Sequence, residues 1–265
     1  MSAIARFLPA IGRHGRARRW RRRGAQPRVW AHRGDSAHQV ENTLEAFAVA
    51  RDAGADGVEL DVRLTRDGEV VVFHDDDLSR LAGRPERVDA LTLAELREVR
   101  LAGGERVPTL REVLDPWRDL DVNVEIKSPG AGKAGALPAL VARIVGDAGA
   151  AGRVLVSSFD PWALVQMHTA LPDLATAFLF HARETAASRL GWLGPWVGAA
   201  ALHPEHVLCD ATSVAAWRRA GFVVNVWTVD DPQRLQELGS YGVDGVFAND
   251  PAAARAELAR GQLTR

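Results

Sequence analysis

Histidine and arginine stand together at His32 and Arg33, Glu59 and Asp61 are two residues apart, His74 is followed by Asp75, and Glu125 precedes Lys127 by two. In an extended strand, residues two apart leave the same face, so Glu59 and Asp61 project together. Glu125 would reach the same space from a neighbouring strand. Three converging carboxylates repel one another unless a cation neutralises them. An all-oxygen ligand set suits a hard divalent ion, Mg²⁺ or Ca²⁺, better than zinc. The competing reading is a structural salt-bridge network with Arg33, Arg63 and Lys127.

His32 and His74 would flank that cation. A pair of imidazoles supplies one proton acceptor and one donor, which displacement at a phosphorus ester requires. Arg33 and Lys127 bring positive charge to phosphoryl oxygens, where charge builds in the transition state. Metal-assisted phosphodiester cleavage is the chemistry these types allow. Asp75 either orients His74 or caps the following turn; adjacency alone leaves both open.

Such groups need elements that bring them to one place. Short apolar runs recur along the chain: "RVWAH", "GVELDV", "EVVVFH", "VNVEIK", "RVLVSS", "ATAFLF", "HVLCD", "FVVNVW" and "VDGVFA". Most are rich in valine and continuous, as in parallel strands buried on both faces. Helix-like stretches alternate with them. "NTLEAFAVARDAGA" opens on Asn-Thr and closes at Gly54, and "DPWALVQMHTALP", "DPQRLQELGSYG" and "DPAAARAELARG" share an Asp-Pro opening. With "EVVVFH" set aside as a hairpin partner, the β-α alternation predicts a (β/α)8 TIM barrel. A doubly wound sheet is disfavoured by the absence of a Gly-x-Gly-x-x-Gly turn. Function in a barrel sits at the C-terminal strand ends. There His32, Arg33, Glu59, Asp61, His74, Glu125, Lys127, Ser157 and Trp227 all fall. An isolated histidine or lysine at a strand end is usually structural; their joint occurrence on one rim carries the reading.

The 265 residues are 47% hydrophobic and 25% charged, a composition fit for a globular protein with a large core. Cys209 is the single cysteine and reads as a buried apolar residue. Residues 1–28 hold nine arginines and no acid, which leaves 24 Lys and Arg against 34 Asp and Glu in the rest. Residues 1–27 thus read as a basic, disordered leader or over-long start, ahead of a single domain at 28–265. Their only apolar stretch, "FLPAI", is short and precedes the arginines, unlike a secretory signal. No run approaches the roughly eighteen apolar residues of a spanning helix. The leader's arginines offer peripheral contact with anionic lipid at the inner face of the membrane, the accompanying location being cytoplasmic. No nucleic-acid partner is expected.

Taken as an ordered set, His32-Arg33-Gly34, Glu41-Asn42-Thr43, Glu59-x-Asp61, His74-Asp75, Glu125-Ile-Lys127 and Trp227-Thr228-Val229 resemble the glycerophosphodiester phosphodiesterase family, over about residues 29 to 257. The segment "RLAGRPERVDALTLAELREVRLAGGERVPTLREVL" resembles the small insertion these enzymes carry after the second histidine, at about residues 76–112 here. The resemblance implies Glu59, Asp61 and Glu125 as ligands of one divalent cation, Mg²⁺ or Ca²⁺, with His32 as general base and His74 as general acid. It implies Arg33 and Lys127 as phosphate-binding cations, Glu41 and Asn42 as the loop that completes the site by holding Arg33 and approaching the metal or phosphate, and Phe159 and Trp227 as aromatic lining of the substrate's glycerol or alcohol side. The implied reaction takes glycerophosphocholine or glycerophosphoethanolamine to glycerol 3-phosphate and an alcohol. Two positions depart from the pattern: Val40 where proline is usual, and "WTVDD" where asparagine commonly follows valine. They leave loop rigidity and substrate preference open. Relatives of lysophospholipase D type make lysophospholipids an alternative substrate, for which "LGWLGPWVGAAALHP", residues 190–204, offers an apolar loop with Trp192, Leu193, Trp196 and Val197. A non-catalytic phosphoester-binding barrel is a further alternative, but no histidine or carboxylate is missing. His203 and His206 read as structural or rim residues.

Overall fold

A computed structural model describes residues 16–22, 24, 26–183 and 193–263. Among the described residues nine strands form: β1 (Arg28–His32), β2 (Gly57–Leu64), β3 (Val70–Val72), β4 (Asp121–Ile126), β5 (Val154–Ser158), β6 (Ala175–Phe180), β7 (Ala201–Pro204), β8 (Val223–Val226) and β9 (Gly245–Ala248). Eight of them pair in parallel in the order β1-β2-β4-β5-β6-β7-β8-β9, and β9 pairs back to β1, closing a (β/α)8 barrel. β3 is the hairpin partner expected of "EVVVFH": it lies antiparallel against β2, Val72 opposite Val62.

Helices α1 (Leu44–Asp52), α2 (Ser79–Ala82), α3 (Leu93–Arg97), α4 (Leu110–Leu114), α5 (Leu137–Asp147), α6 (Pro161–Ala170), α7 (Leu193–Trp196), α8 (Ala211–Arg219), α9 (Pro232–Tyr241) and α10 (Pro251–Leu263) surround it. The Asp-Pro openings act as expected. Proline occupies the first helical position, where no N–H is needed, and the aspartate accepts from an orphan N–H: Asp160 from Trp162 at 3.0 Å, Asp231 from Arg234 at 2.7 Å, Asp250 from Ala253 at 2.8 Å.

The strands are less uniformly apolar than their valine content suggests. Val58, Leu60 and Val62 of β2 and Val122, Val124 and Ile126 of β4 pack outward among the side chains of the helix layer. Their neighbours Gly57, Glu59, Asp61, Asp121, Asn123 and Glu125 therefore point into the barrel. The interior is stacked in layers. At the N-terminal end lie Trp30, Leu155, Ala175 and Val223. Above them are amides and hydroxyls, Asn123 donating to Ser157 Oγ at 2.9 Å and Asn225 meeting His203 at 3.0 Å. The charged groups come last, at the C-terminal rim. Trp30 fits because Gly57 and Gly245 flank it: a Cβ would stand 2.6 Å from the indole at residue 57 and 2.9 Å from its Nε1 at residue 245.

Three expectations change. "HVLCD" is no strand: His206–Leu208 is a short 3₁₀ turn, and β7 is "ALHP", inside the stretch assigned to an apolar loop. Val197, Ala199 and Leu202 are consequently buried in the core, while Trp196 stands 66% exposed; Trp192 lies outside the described residues. Second, the segment between β3 and α4 closes on its own apolar cluster of Phe73, Leu78, Val88, Leu96, Val99 and Leu101, so the insertion ends before Leu110, which packs into the barrel layer.

The third change is the leader. Residues 16–22 lie across the N-terminal mouth of the barrel, where Trp20 is 2% exposed and its ring stands 5.8 Å from that of Trp30. Helices antiparallel to the strands collect their C-terminal carbonyls at this mouth, and arginines answer them. Arg16 donates to Pro172 O at 2.7 Å and Gly198 O at 3.3 Å, beyond α6 and α7; Arg21 donates to Gly221 O at 3.0 Å, beyond α8. These side chains are engaged with the protein itself, at the end opposite the charged rim. Among the described residues no helix is long and apolar enough to cross a membrane.

Candidate active site

The rim layer forms a pocket of about 240 Å³ bordered by His32, Glu59, His74, Glu125, Lys127 and Trp227, among others. Register explains the gathering. Asp61 on β2 lies opposite Glu125 on β4, and His32 on β1 opposite Glu59 on β2, so the inward side chains of three adjacent strands meet at one height. Oxygens of Glu59, Asp61 and Glu125 lie within 4.8 Å of one another, all three residues buried. His74 arrives differently, from the end of the β2–β3 hairpin.

Two cations stand among the carboxylates. Lys127 Nζ is 2.6 Å from Glu125 Oε1 and 2.9 Å from Asp61 Oδ1; Arg33 Nε is 3.3 Å from Asp61 Oδ2, and the Arg33 backbone N–H donates to Glu59 Oε2 at 3.0 Å. Arg63 is absent from this group. It donates to the His74 carbonyl at 2.6 and 2.9 Å and pairs with Asp76, pinning the backbone that carries His74. The rival salt-bridge network thus exists in part, but it does not balance. Three carboxylates face two cations, and Asp61 Oδ1, though paired with Lys127, receives no aligned hydrogen bond.

The imbalance appears in the proton affinities. Burial pushes Glu59 well above the ordinary carboxylate range, and the charges of Asp61 and Glu125 add to it; Glu125 is likewise raised by burial. For Asp61, burial acts in the same direction, but Lys127 and Arg33 overcome it and hold the carboxyl low. Burial works against the charges of Lys127 and Arg33 too, and the surrounding carboxylates hold both above their ordinary values. His32 is pushed down to about 4, by burial first and then by Arg33, so the ring is neutral near pH 7.

Glu41 holds Arg33, as expected of the loop, and Asn42 reaches the carboxylate cluster at Asp61. Asn42 is 1% exposed; its Nδ2 donates to Asp61 Oδ2 at 2.9 Å and its Oδ1 accepts from the Asp61 N–H at 3.2 Å, which uses the amide on one carboxylate-bearing residue. The loop that allows this turns on two left-handed residues, Arg33 and Asn42, both at φ 59°. Glu41 accepts from Arg33 Nη1 at 2.8 Å and from Arg80 at 2.7 and 2.9 Å. Arg80, on α2 of the insertion, also donates to Asp75 Oδ2 at 2.7 Å, and Asp75 Oδ1 meets His74 Nδ1 at 2.7 Å. Asp75 thus orients His74.

The far wall is aromatic, Phe159 meeting Trp227 edge-to-face at 5.5 Å. Trp227 is fixed by its Nε1–H donating to His203 O at 2.7 Å. His203 is fully buried against Phe247 and pushed down to about 3 by burial. It is structural, as expected, but forms the pocket floor and not its rim. Sequence reasoning passed over Arg80, Asp230 and Asn249. Arg80 lay in plain view in the insertion, but a surface arginine carries no signal of its partner. Asn249 ends the last strand, "VFAND", and the rule applied to the other strand ends would have found it.

A family model for the glycerophosphoryl diester phosphodiesterase family matches residues 32–253. A glycerophosphodiester phosphodiesterase of Caldanaerobacter subterraneus subsp. tengcongensis is 34% identical over 237 residues, covering 84% of this chain and 94% of its own. Among solved structures, an Oleispira antarctica phosphodiesterase in complex with the product sn-glycerol-3-phosphate is 29% identical with a TM-score of 0.75, covering 88% of this chain and 97% of that one. A glycerophosphodiester phosphodiesterase from Thermotoga maritima is 31% identical with a TM-score of 0.71, covering 85% and 96%.

Proposed function

The chain belongs to the glycerophosphoryl diester phosphodiesterase family and is a phosphoric diester hydrolase; from that premise we propose that it cleaves glycerophosphodiesters such as glycerophosphocholine and glycerophosphoethanolamine to glycerol 3-phosphate and an alcohol, using a divalent cation held by Glu59, Asp61 and Glu125. The observation that carries this reading is the charge imbalance. With its three carboxylates ionised and no metal, the inner group is one negative charge in excess and repels a phosphodiester. A divalent cation makes it one positive charge in excess, the complement of a phosphodiester anion. The oxygen-only donors fit Mg²⁺ or Ca²⁺. When bound, the cation supplies positive charge for the phosphoryl oxygens.

The chain's own residues do the rest. His32, neutral, takes the proton from the glycerol 2-hydroxyl as that oxygen bonds to phosphorus. The bond from phosphorus to the head-group oxygen breaks, and His74 delivers a proton to it. Water then opens the cyclic phosphate with the two roles reversed, giving glycerol 3-phosphate. Arg33 and Lys127 hold the non-bridging oxygens, and Phe159 with Trp227 packs against the glycerol carbons. The product named in the Oleispira structure agrees with this outcome.

The test is glycerol 3-phosphate release by chelator-stripped protein, with Mg²⁺ or Ca²⁺ restored, on both diesters and on lysophosphatidylcholine. Turnover of the deacylated diesters should return with metal, and His32→Ala and His74→Ala should each lower kcat by about 10²–10⁴-fold with the fold unchanged. Metal-independent turnover, or an active His32→Ala, would sink the mechanism. Choline release confined to the lysolipid would move the substrate class to lysophospholipids.

A further inference from the structure

Behind His32 lies a chain of contacts that the reaction does not itself require. His32 Nδ1 is 2.8 Å from Asn249 Oδ1, across the seam where the last barrel strand returns to the first. Asn249 Nδ2 in turn lies 2.5 Å from Asp230 Oδ2, and the Asn249 backbone N–H donates to Asp230 Oδ1 at 2.8 Å. Asp230 stands one residue ahead of Asp231, which caps α9, so capping does not explain it.

The orientation of an amide is read from its partners. A carboxylate can only accept, so the end of Asn249 facing Asp230 is its NH₂ and the end facing His32 is its oxygen. Asp230 grips Asn249 at backbone and side chain together, and a flip of the amide would set its oxygen against a carboxylate. An oxygen on Nδ1 obliges that nitrogen to carry the ring proton, which leaves the lone pair on Nε2. Nε2 is the nitrogen turned to the pocket, 4.0 Å from Glu59 Oε2. His74 is held the opposite way, by a carboxylate: Asp75 on its Nδ1 is an anionic partner, itself held below the usual carboxylate range, against burial, by hydrogen bonds from Arg80 and His74. The two histidines are thus given different neighbours, a neutral acceptor for one and an anion for the other.

We propose that Asn249 and Asp230 are positioning residues that fix His32 as its Nδ1–H tautomer and so present a free Nε2 to the substrate hydroxyl. The proposal rests on the role of His32 given above. It also accounts for the aspartate after "WTV", where asparagine commonly follows: two acceptor oxygens are needed to hold both N–H groups of Asn249, and an asparagine at 230 would offer one.

The test reads the tautomer directly. In ¹⁵N-labelled, Mg²⁺-loaded full-length protein at neutral pH, long-range ¹H–¹⁵N correlation of the His32 ring should report a proton on Nδ1 in the wild type. In Asn249→Ala, and in Asp230→Ala, the proton should move to Nε2 in a large fraction of molecules, and kcat should fall about 10²-fold with KM within about twofold of wild type. Exchanging the pair, Asp230→Asn with Asn249→Asp, keeps an acceptor on Nδ1 and a donor between the two side chains, and should restore the tautomer and most of kcat. A structural role for the pair predicts no such rescue. A His32 that stays Nδ1–H in both single variants overturns the proposal, as does a loss of kcat without a change of tautomer. An active His32→Ala would instead remove the base on which the proposal rests, and the tautomer spectrum would still report whether the relay operates.

Discussion

The two mouths of the barrel are built from the same materials in opposite proportion. At the N-terminal mouth one buried carboxylate, Asp121, is shared by two arginines, Arg19 and Arg28, with the Arg28 guanidinium 5.1 Å from the Trp30 ring and 5.8 Å from that of Trp20. At the C-terminal mouth three buried carboxylates share two cations. In the first arrangement the chain's own arginines outnumber the carboxylate, they lie on aromatic faces, and residues 16–22 cover the opening. The second, with its carboxylates ionised, lacks positive charge that a bound cation can bring. A buried carboxylate therefore holds the fold together where the chain's own arginines outnumber it, and is free for chemistry where carboxylates outnumber the cations.

Substitutions that reverse each balance should separate activity from stability. The largest effect is expected from Glu125→Gln at the C-terminal mouth. Turnover should fall by about 10³-fold or more through lost cation binding, while the metal-free unfolding midpoint stays level or rises, because one of three repelling charges is gone. Parallel kinetics and urea titrations check it. Asp121→Ala should do the reverse, stranding Arg28 and destabilising the protein by about 3–5 kcal/mol, with kcat per folded molecule unchanged. Third comes Trp20→Ala, which removes the stopper and should cost about 3 kcal/mol, again without touching kcat. A leader that served only as a membrane tether would leave the midpoint where it was.

The smallest effect concerns the layer between the mouths. His203 is kept neutral by burial, with its pKa pushed down to about 3. As pH falls below its ordinary value of about 6.5, the unfolded chain takes up this proton and the folded chain does not, so stability drains away as acidity rises. About 2 kcal/mol should be lost between pH 6.5 and 5 on this account. His203→Gln should remove that share of the slope, and an unchanged slope would mean the ring is hydrated in the fold.

Much of this was legible in the chain. Period-two placement put Glu59 and Asp61 on one face, and the position of His32, His74, Glu125 and Lys127 at run ends put them on one rim, because strand geometry is local and side-chain direction follows from it. The Asp-Pro openings located three helices for the same reason. What failed was nonlocal. "ALHP" ends in proline and sits in a run that reads as loop; it is a strand because Ala201 and Leu202 find partners on both β6 and β8. "HVLCD" has the composition of a strand but no free edge to join.

The sequence by itself determined the barrel, the rim and the identity of the charged groups, since each depends on spacings of a few residues. Only the tertiary structure decided their partners. Asn42 went to Asp61, Arg80 joined Glu41 to Asp75, Trp20 closed the far mouth, and Asn249 came to His32 from 217 residues away. A closed barrel makes its first and last strands neighbours, and no local spacing carries that information.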